Sequence, residues 1–394
     1  MDALLTVAQA TARIRQHRLS WGSTSLTLAQ AGQPGTLTSP VTTDRPYPPG
    51  DRVLMDGIAL VWSRYRQGQR VFPIVGVAAA GHPPLALTDP GACIEVMTGA
   101  PLPQGCDLVI PYEYLAIAAG SATITRPQDW PPYAHVDRQG SACAAGVEVL
   151  APGHRLQPPD WGILASLGYT EVAIQRLPRT LIISTGDELV PPAVTPQPYQ
   201  LRASNPYALQ AALRRQGYPT VDVQVLPDDP SHWQSHYEQA SQDYDQLIYT
   251  GGVSRGKRDV LPALWLSLGV TPYVQGVRQR PGKPLWFGVD HQRQTVVFGL
   301  PGNPVSCLVC LYRYVLDRPP RYGQLTEPVT FAPPLTYFLP VRVSYSPSAE
   351  VLVTPQAVQN SGDFLGLAGT DGFIELPSER CTFATGECFP LYEW

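Results

Sequence analysis

Residues 179–316 constrain this chain more than any other stretch, because hydrophobic runs of strand length alternate there with helical ones. Residues 180–184, Thr-Leu-Ile-Ile-Ser, read as a strand buried on both faces. Asn205-Pro206 then supply an N-cap and a first-turn proline, opening a helix that runs to Gln216. Residues 221–225 read as a strand and Ser231 as the cap of a further helix. Residues 246–250 form another strand, ending in Gly251-Gly252; 259–268 read as helix, 295–298 as strand, and Asn303-Pro304 as the next helix start. Strands alternating with helices imply a doubly wound parallel sheet with helices on both faces. Such sheets place ligands at the carboxyl ends of their strands. Three polar glycine loops fall there: Ser184-Thr185-Gly186-Asp187-Glu188, Thr250-Gly251-Gly252-Val253-Ser254 and Gly299-Leu300-Pro301-Gly302-Asn303.

The rest of the chain is different in character. A length of 394 residues exceeds what one hydrophobic core supports, so several domains are expected. Residues 4–19 have helical apolar spacing. Short β-like runs follow at 71–78, 93–98, 108–111 and 122–125, separated by glycine and proline, and read as a small all-β unit. A helix is expected over 159–167, and beyond residue 324 the short alternating runs return, as in a small terminal β-domain. The fold class is therefore multidomain, α/β plus β.

Charge and cysteine usage narrow the function. A net charge of −4 argues against a nucleic-acid binder, which carries a basic stripe. No apolar run is long enough to span a membrane as a helix. The N-terminus lacks the charged-then-apolar pattern of a secretory signal, and the seven scattered cysteines suit a reducing compartment, so a cytoplasmic location is expected. Cys307 and Cys310 form a lone CxxC with no second pair nearby, which reads as buried helical cysteines rather than a zinc site.

The loops carry the chemistry. Glycines after a strand let backbone N–H groups approach an anion. Gly251 to Lys257 therefore suits a phosphate, although a tight turn without ligand has the same composition. Neither GxxxxGK[ST] nor GxGxxG occurs. Asp187 and Glu188 could hold Mg²⁺ or a base edge, or simply cap a solvated loop. Asp228 and Asp259 read first as helix-start acids. Arg280-Pro281-Gly282-Lys283-Pro284 sets two cations on a stiff turn, which suits an oxyanion. Of the 28 basic residues only Lys257 and Lys283 are lysines, and both adjoin glycine turns. Asp56 and Thr98 sit in ordinary turn sequences, and the residues alone assign them no role.

Taken in order, these motifs resemble the molybdopterin molybdenumtransferase family, to which the gephyrin E domain is related. Met55-Asp56-Gly57 is similar to the family's Met-Asp-Gly-Tyr-Ala, and Met97-Thr98-Gly99-Ala100 to its Met-Thr-Gly-Ala. Ser184 to Leu189, Gly251-Gly252-Val253-Ser254-x-Gly256-x-x-Asp259, Pro281-Gly282-Lys283-Pro284 and Leu300 to Ser306 follow. The resemblance implies an elongated linking domain (1–45 and 140–177), a β-rich insertion domain (46–139), an α/β molybdopterin-binding domain (178–322) and a C-terminal β-barrel (323–394). It implies insertion of molybdate into adenylated molybdopterin with Mg²⁺ and release of AMP. Thr185, Gly186, Asp187, Glu188, Asp228, Gly251, Gly252, Ser254, Asp259, Pro301, Asn303 and Ser361 would bind the pterin nucleotide. Asp56, Thr98, Arg280 and Lys283 would be catalytic, and Asp56 and Glu188 would meet the metal. It further implies a homodimer whose site is shared between subunits, and contact with other molybdenum cofactor enzymes.

The chain departs from the family pattern in four places. Ile58 follows Asp56-Gly57 where the family has Tyr, and Val53-Leu54 stand for Ser-Ala. Arg280 replaces the first lysine of Lys-Pro-Gly-Lys-Pro, and Gly140-Ser141-Ala142 stand where the family has Gly-Glu-Asp. The competing reading is a non-catalytic paralogue that binds the pterin nucleotide as carrier or scaffold.

Overall fold

The hydrophobic runs of 179–316 become a six-stranded sheet in the computed structural model of the chain, which describes residues 4–253, 260–356 and 358–394. Its order is Val221–Leu226, Thr180–Thr185, Gln246–Thr250, Thr295–Leu300, Trp286–Asp290, Thr271–Gln275. The first four strands are mutually parallel. The last two are antiparallel additions. Thr180–Thr185, Gln246–Thr250 and Thr295–Leu300 are buried at every position, which is why they read as unbroken apolar runs.

Alternate residues of each strand face opposite layers. Ile182, Ile248 and Phe298 pack beneath the helices Val7–His17, Asn205–Arg215 and Pro304–Cys310. Leu181, Ile183, Leu247, Tyr249 and Val297 pack on the other side, with Trp233 and Tyr237 of helix Pro230–Asp243 and Trp265 of helix Leu261–Ser267. Each such side chain contributes about 1.5–3 kcal/mol by leaving water, so these two layers dominate the stability of the sheet.

The N-terminal helix starts at a capping box, in which the Thr6 hydroxyl accepts from Gln9 N and the Gln9 side chain accepts from Thr6 N. Helix Pro304–Cys310 continues into a π-helical segment, Leu311–Val315. The antiparallel hairpin was absent from the sequence expectation. Pro272 and Gly288 face each other across it, and both residue types weaken a strand signal.

Five further strands, Thr336–Tyr345, Val351–Pro355, Arg321–Leu325, Cys388–Glu393 and Gly372–Leu376, close into a barrel, because the last pairs back onto the first. Closure leaves the ring without an open edge. Leu325, Val341, Val353, Ile374, Phe389 and Leu391 fill its interior. The sheet, its helices and the barrel belong to one compact unit, the residues up to Gly22 with Gln175–Trp394.

Ser23–Ile174 form a second compact unit. Its main sheet runs Leu108–Pro111, Gly57–Leu60, Cys93–Val96, Val71–Ala78, Ser121–Ile124, Leu115–Ala118. Gly57–Leu60 is antiparallel to both of its neighbours, so its first residue lies beside the last residues of Cys93–Val96 and Leu108–Pro111. A smaller core around Leu26, Leu37, Trp161 and Leu164 includes helix Pro158–Ser166.

Candidate functional site

All four parallel strands end at one edge of the sheet, and their loops are tied to one another by hydrogen bonds. The Asp187 carboxylate accepts from Asp228 N at 3.0 Å, joining the loops after Thr180–Thr185 and Val221–Leu226. Asn205 Nδ2 donates to Thr250 Oγ1 at 2.8 Å and to the Gly302 carbonyl at 2.7 Å, joining the other two. Gly251 and Gly252 have φ of +97° and +65°, a region that disfavours side chains. A Cβ on Gly251 would stand 2.7 Å from the Thr185 carbonyl oxygen, so the two loops touch through backbone. Ser184 Oγ, Thr185 Oγ1 and Asn205 Oδ1 are buried at this edge without a hydrogen-bond partner. Unsatisfied polar atoms clustered at one place are a mark of a ligand site.

The cation turn is built differently. Gln279 is buried, and its Nε2 donates to the carbonyls of Pro281 and Gly282 at 3.1 Å each. Tyr314 Oη donates to Gln279 Oε1. A Cβ on Gly282 would lie 2.6 Å from Cys310 Sγ, so the turn rests directly on helix Pro304–Cys310. Arg280 and Lys283 project from this clamped backbone, both exposed and without an ion pair among the described residues.

The two halves meet around a cavity of about 380 Å³. Arg280 and Lys283 line it from the turn, Pro301, Asn303 and Ser306 from the third glycine loop and its helix, Tyr337 from a barrel strand, and Val358 and Ser361 from the segment after strand Val351–Pro355. Asn303 Nδ2 donates to Ser361 Oγ at 2.7 Å, and Val305 N donates to the Ser361 carbonyl. Arg280, Lys283, Pro301, Asn303 and Ser361 are thus brought together. Thr185, Gly186, Asp187, Glu188, Asp228, Gly251 and Gly252 share the adjoining strand-end edge. Ser254, Lys257 and Asp259 lie outside the described residues.

Asp56 and Thr98 belong to the other unit, at the strand ends beside Gly57 and Val96. Asp56 Oδ1 accepts from Thr98 N at 2.6 Å and from Thr98 Oγ1 at 2.7 Å. Those two donors hold its carboxyl below the usual carboxylate range. Tyr112, just after strand Leu108–Pro111, donates its hydroxyl to Glu95, and burial and that carboxylate push the phenol up to about 12. Ile58 is fully buried in the sheet, so the position held by Tyr in the family pattern is core here. Ser141 Oγ donates to Asp137 Oδ1 at 2.6 Å, so the Gly140-Ser141-Ala142 turn keeps one carboxylate in its hydrogen bonding.

Cys307 and Cys310 are buried and free, their thiols pushed up by burial, Cys307 to about 12. They pack as helical core, as the lone CxxC suggested. Sequence reasoning missed Asn205 as a strut between loops, having read it as a cap. It also missed the cavity wall of Leu335, Tyr337 and Val358. The Asn-Pro signal hid the first, and no local signal marks the second.

Residues 5–168 match the family model for the MoeA N-terminal region (domain I and II), 181–320 that for a probable molybdopterin binding domain, and 322–394 that for the MoeA C-terminal region (domain IV). A molybdopterin molybdenumtransferase of Synechocystis is 48% identical over 391 residues, covering 99% of this chain and all of the relative. One from Synechococcus elongatus is 32% identical, covering 86% of this chain and 87% of the relative. The crystal structure of a molybdopterin biosynthesis MoeA protein from Pyrococcus horikoshii superposes with a TM-score of 0.83 at 25% identity, over 99% of each chain. With its N-terminal, central and C-terminal parts each matched and the whole length paired with named relatives, the chain belongs to the MoeA family of molybdopterin molybdenumtransferases.

Proposed function

We propose that this chain inserts molybdate into adenylated molybdopterin and releases AMP. Family membership makes it a transferase of molybdenum cofactor biosynthesis, and chain-long similarity to enzymes so named does not favour the non-catalytic alternative. The observation that carries the finer reading is the cavity in which the cation turn, the third glycine loop and Ser361 face one another. In this reading the Gly252 N–H group and Thr185 receive phosphate oxygens, and Gly251, whose N–H donates to the Leu300 carbonyl, lets the ligand approach closely. Asp187 and Asp228 accept from ligand donors, and Ser254 and Asp259, outside the described residues, belong to the same proposed nucleotide-binding set. Arg280 and Lys283 hold the anionic oxyanion substrate and stabilise charge that develops on it. The reading carries the four-part division, 1–45 with 140–177, 46–139, 178–322 and 323–394. It also carries a cytoplasmic homodimer in which the partner subunit's Asp56 and the partner's Thr98 close the site, and contact with other molybdenum cofactor enzymes.

Mg²⁺ belongs to the same reading. Among the described residues no three His, Cys, Asp or Glu side chains converge as a metal cage. Mg²⁺ does not require one, since it commonly binds through one or two carboxylates plus substrate phosphates. The Glu188 carboxylate folds over Gly186, with both oxygens 2.7 Å from where a Cβ would sit. Glu188, with the partner subunit's Asp56, would hold the ion, which when bound would neutralise phosphate charge.

The test is to incubate the protein with adenylated molybdopterin, Mg²⁺ and molybdate, and to follow AMP and metallated cofactor. Molybdate-dependent AMP release is expected. Tight binding without turnover would leave only the carrier reading.

A further inference from the structure

The cavity has a second wall whose chemistry differs from that of the cation turn. The short strand Gln279–Arg280 runs parallel to the barrel strand Thr336–Tyr345, with Gln279 opposite Thr336 and Arg280 opposite Tyr337. Register partners on neighbouring strands share a face, and Arg280 and Tyr337 both line the cavity. Behind Tyr337 lies Phe331, with ring centroids 4.2 Å apart and planes within 13°. Phe331 does not line the cavity itself, so it backs one face of the Tyr337 ring and fixes its plane. The Arg280 guanidinium lies over the Phe331 ring, 6.0 Å from its centroid. Leu335, Pro340 and Val358 continue the wall as apolar surface. Burial raises the Tyr337 phenol and Arg280 draws it partly back, so the ring stays neutral near pH 7.

One wall is therefore aromatic and apolar, and the facing turn is cationic. That pairing suits a flat ring tethered to an anion. We propose that Tyr337 forms a stacking subsite for a planar heteroaromatic ring of the substrate, set beside the anionic group that Arg280 and Lys283 hold. The proposal rests on the function argued above and adds a specificity residue from the barrel to it. Adenine and pterin both meet the chemical description. A bare oxyanion such as inorganic phosphate uses only the cations and is indifferent to Tyr337.

The experiment titrates the full-length protein and its Tyr337→Leu, Tyr337→Phe and Tyr337→Trp variants with AMP, with molybdopterin and with inorganic phosphate by calorimetry. Tyr337→Leu should weaken AMP or molybdopterin by about tenfold or more, and the ligand that responds identifies the ring. Tyr337→Phe and Tyr337→Trp keep a π-face and should retain affinity, and phosphate binding should not change across the series. Two results overturn the proposal: a Leu variant that binds both ring ligands as wild type does, or phosphate affinity falling in parallel with theirs. If the Leu variant does not fold, Tyr337→Gln takes its place as the variant without a π-face, and ring-ligand affinity equal to wild type in it overturns the proposal. Loss of ring-ligand affinity in folded Tyr337→Phe shows that the hydroxyl, not the ring, is read. A wild-type protein that binds these ligands through Tyr337 but releases no AMP with molybdate defeats the proposed reaction and leaves the subsite standing.

Discussion

At Gly251 the requirement for glycine has two parts that act together. A methyl group would meet the Thr185 carbonyl oxygen at 2.7 Å, on a backbone with φ of +97°. Gly251→Ala should cost about 1–3 kcal/mol, read as a lowered urea midpoint. An unchanged midpoint would mean the loop relaxes freely and is not held by its neighbour. Asp56 makes the opposite point about legibility. Its partner Thr98 is 42 residues away, so only the resemblance, not the local Asp-Gly turn, singled it out. Asp56→Asn should lower kcat by about a hundredfold, the size expected for loss of one charge-stabilising group, and leave binding of adenylated molybdopterin intact. An unchanged rate removes Asp56 from the mechanism. Thiol labelling followed by mass spectrometry offers a third check. Cys381 and Cys388 are exposed and should react in the native protein, whereas Cys307 and Cys310 should react only after unfolding.

Among the elements, the buried parallel strands were legible because burial on both faces leaves no polar alternation to confuse them. The hairpin Thr271–Gln275 and Trp286–Asp290 was not, since its pairing depends on partners rather than on propensity. The cation turn is an element whose sequence announces its charge but not its support. Gln279 fills that role from within the core, between Tyr314, Cys310 and the turn carbonyls. Gln279→Ala leaves buried acceptors unpaired and should destabilise the protein by about 1–3 kcal/mol. It should also raise KM for molybdate more than it lowers kcat, because it loosens where Arg280 and Lys283 sit without removing either. Steady-state kinetics on the folded variant decide this, and a KM equal to wild type would show that the turn holds its shape unaided.

For the whole molecule, acid stability follows from two carboxylates. Burial pushes Asp245 and Asp290 up, but hydrogen bonds from Arg179 and Arg176, and from Arg293 and Tyr237, outweigh it and leave both lowered. Their contribution is complete above the unfolded carboxyl value of about 4 and is lost as pH falls through the lowered folded values. Denaturation midpoints should therefore be flat above about pH 5 and fall below it, and Asp245→Asn should flatten the acid limb. A second whole-molecule expectation comes from the proposed shared site. Asp56→Asn and Lys283→Ala homodimers should each be inactive, and subunit exchange between them should restore about a quarter of wild-type activity, since half the dimers would carry one intact site of two. No recovery would place both residues on one subunit. Sequence by itself determined the α/β core, its glycine loops, the cation turn and the family, because each depends on local periodicity or on short contiguous motifs. Tertiary structure alone decided that Asp56 is bound by Thr98, that Asn205 braces two loops, and that the barrel sets Tyr337 beside Arg280. Each of these is a contact between residues distant in the chain, where hydrogen-bond geometry and strand register, not residue type, select the partner.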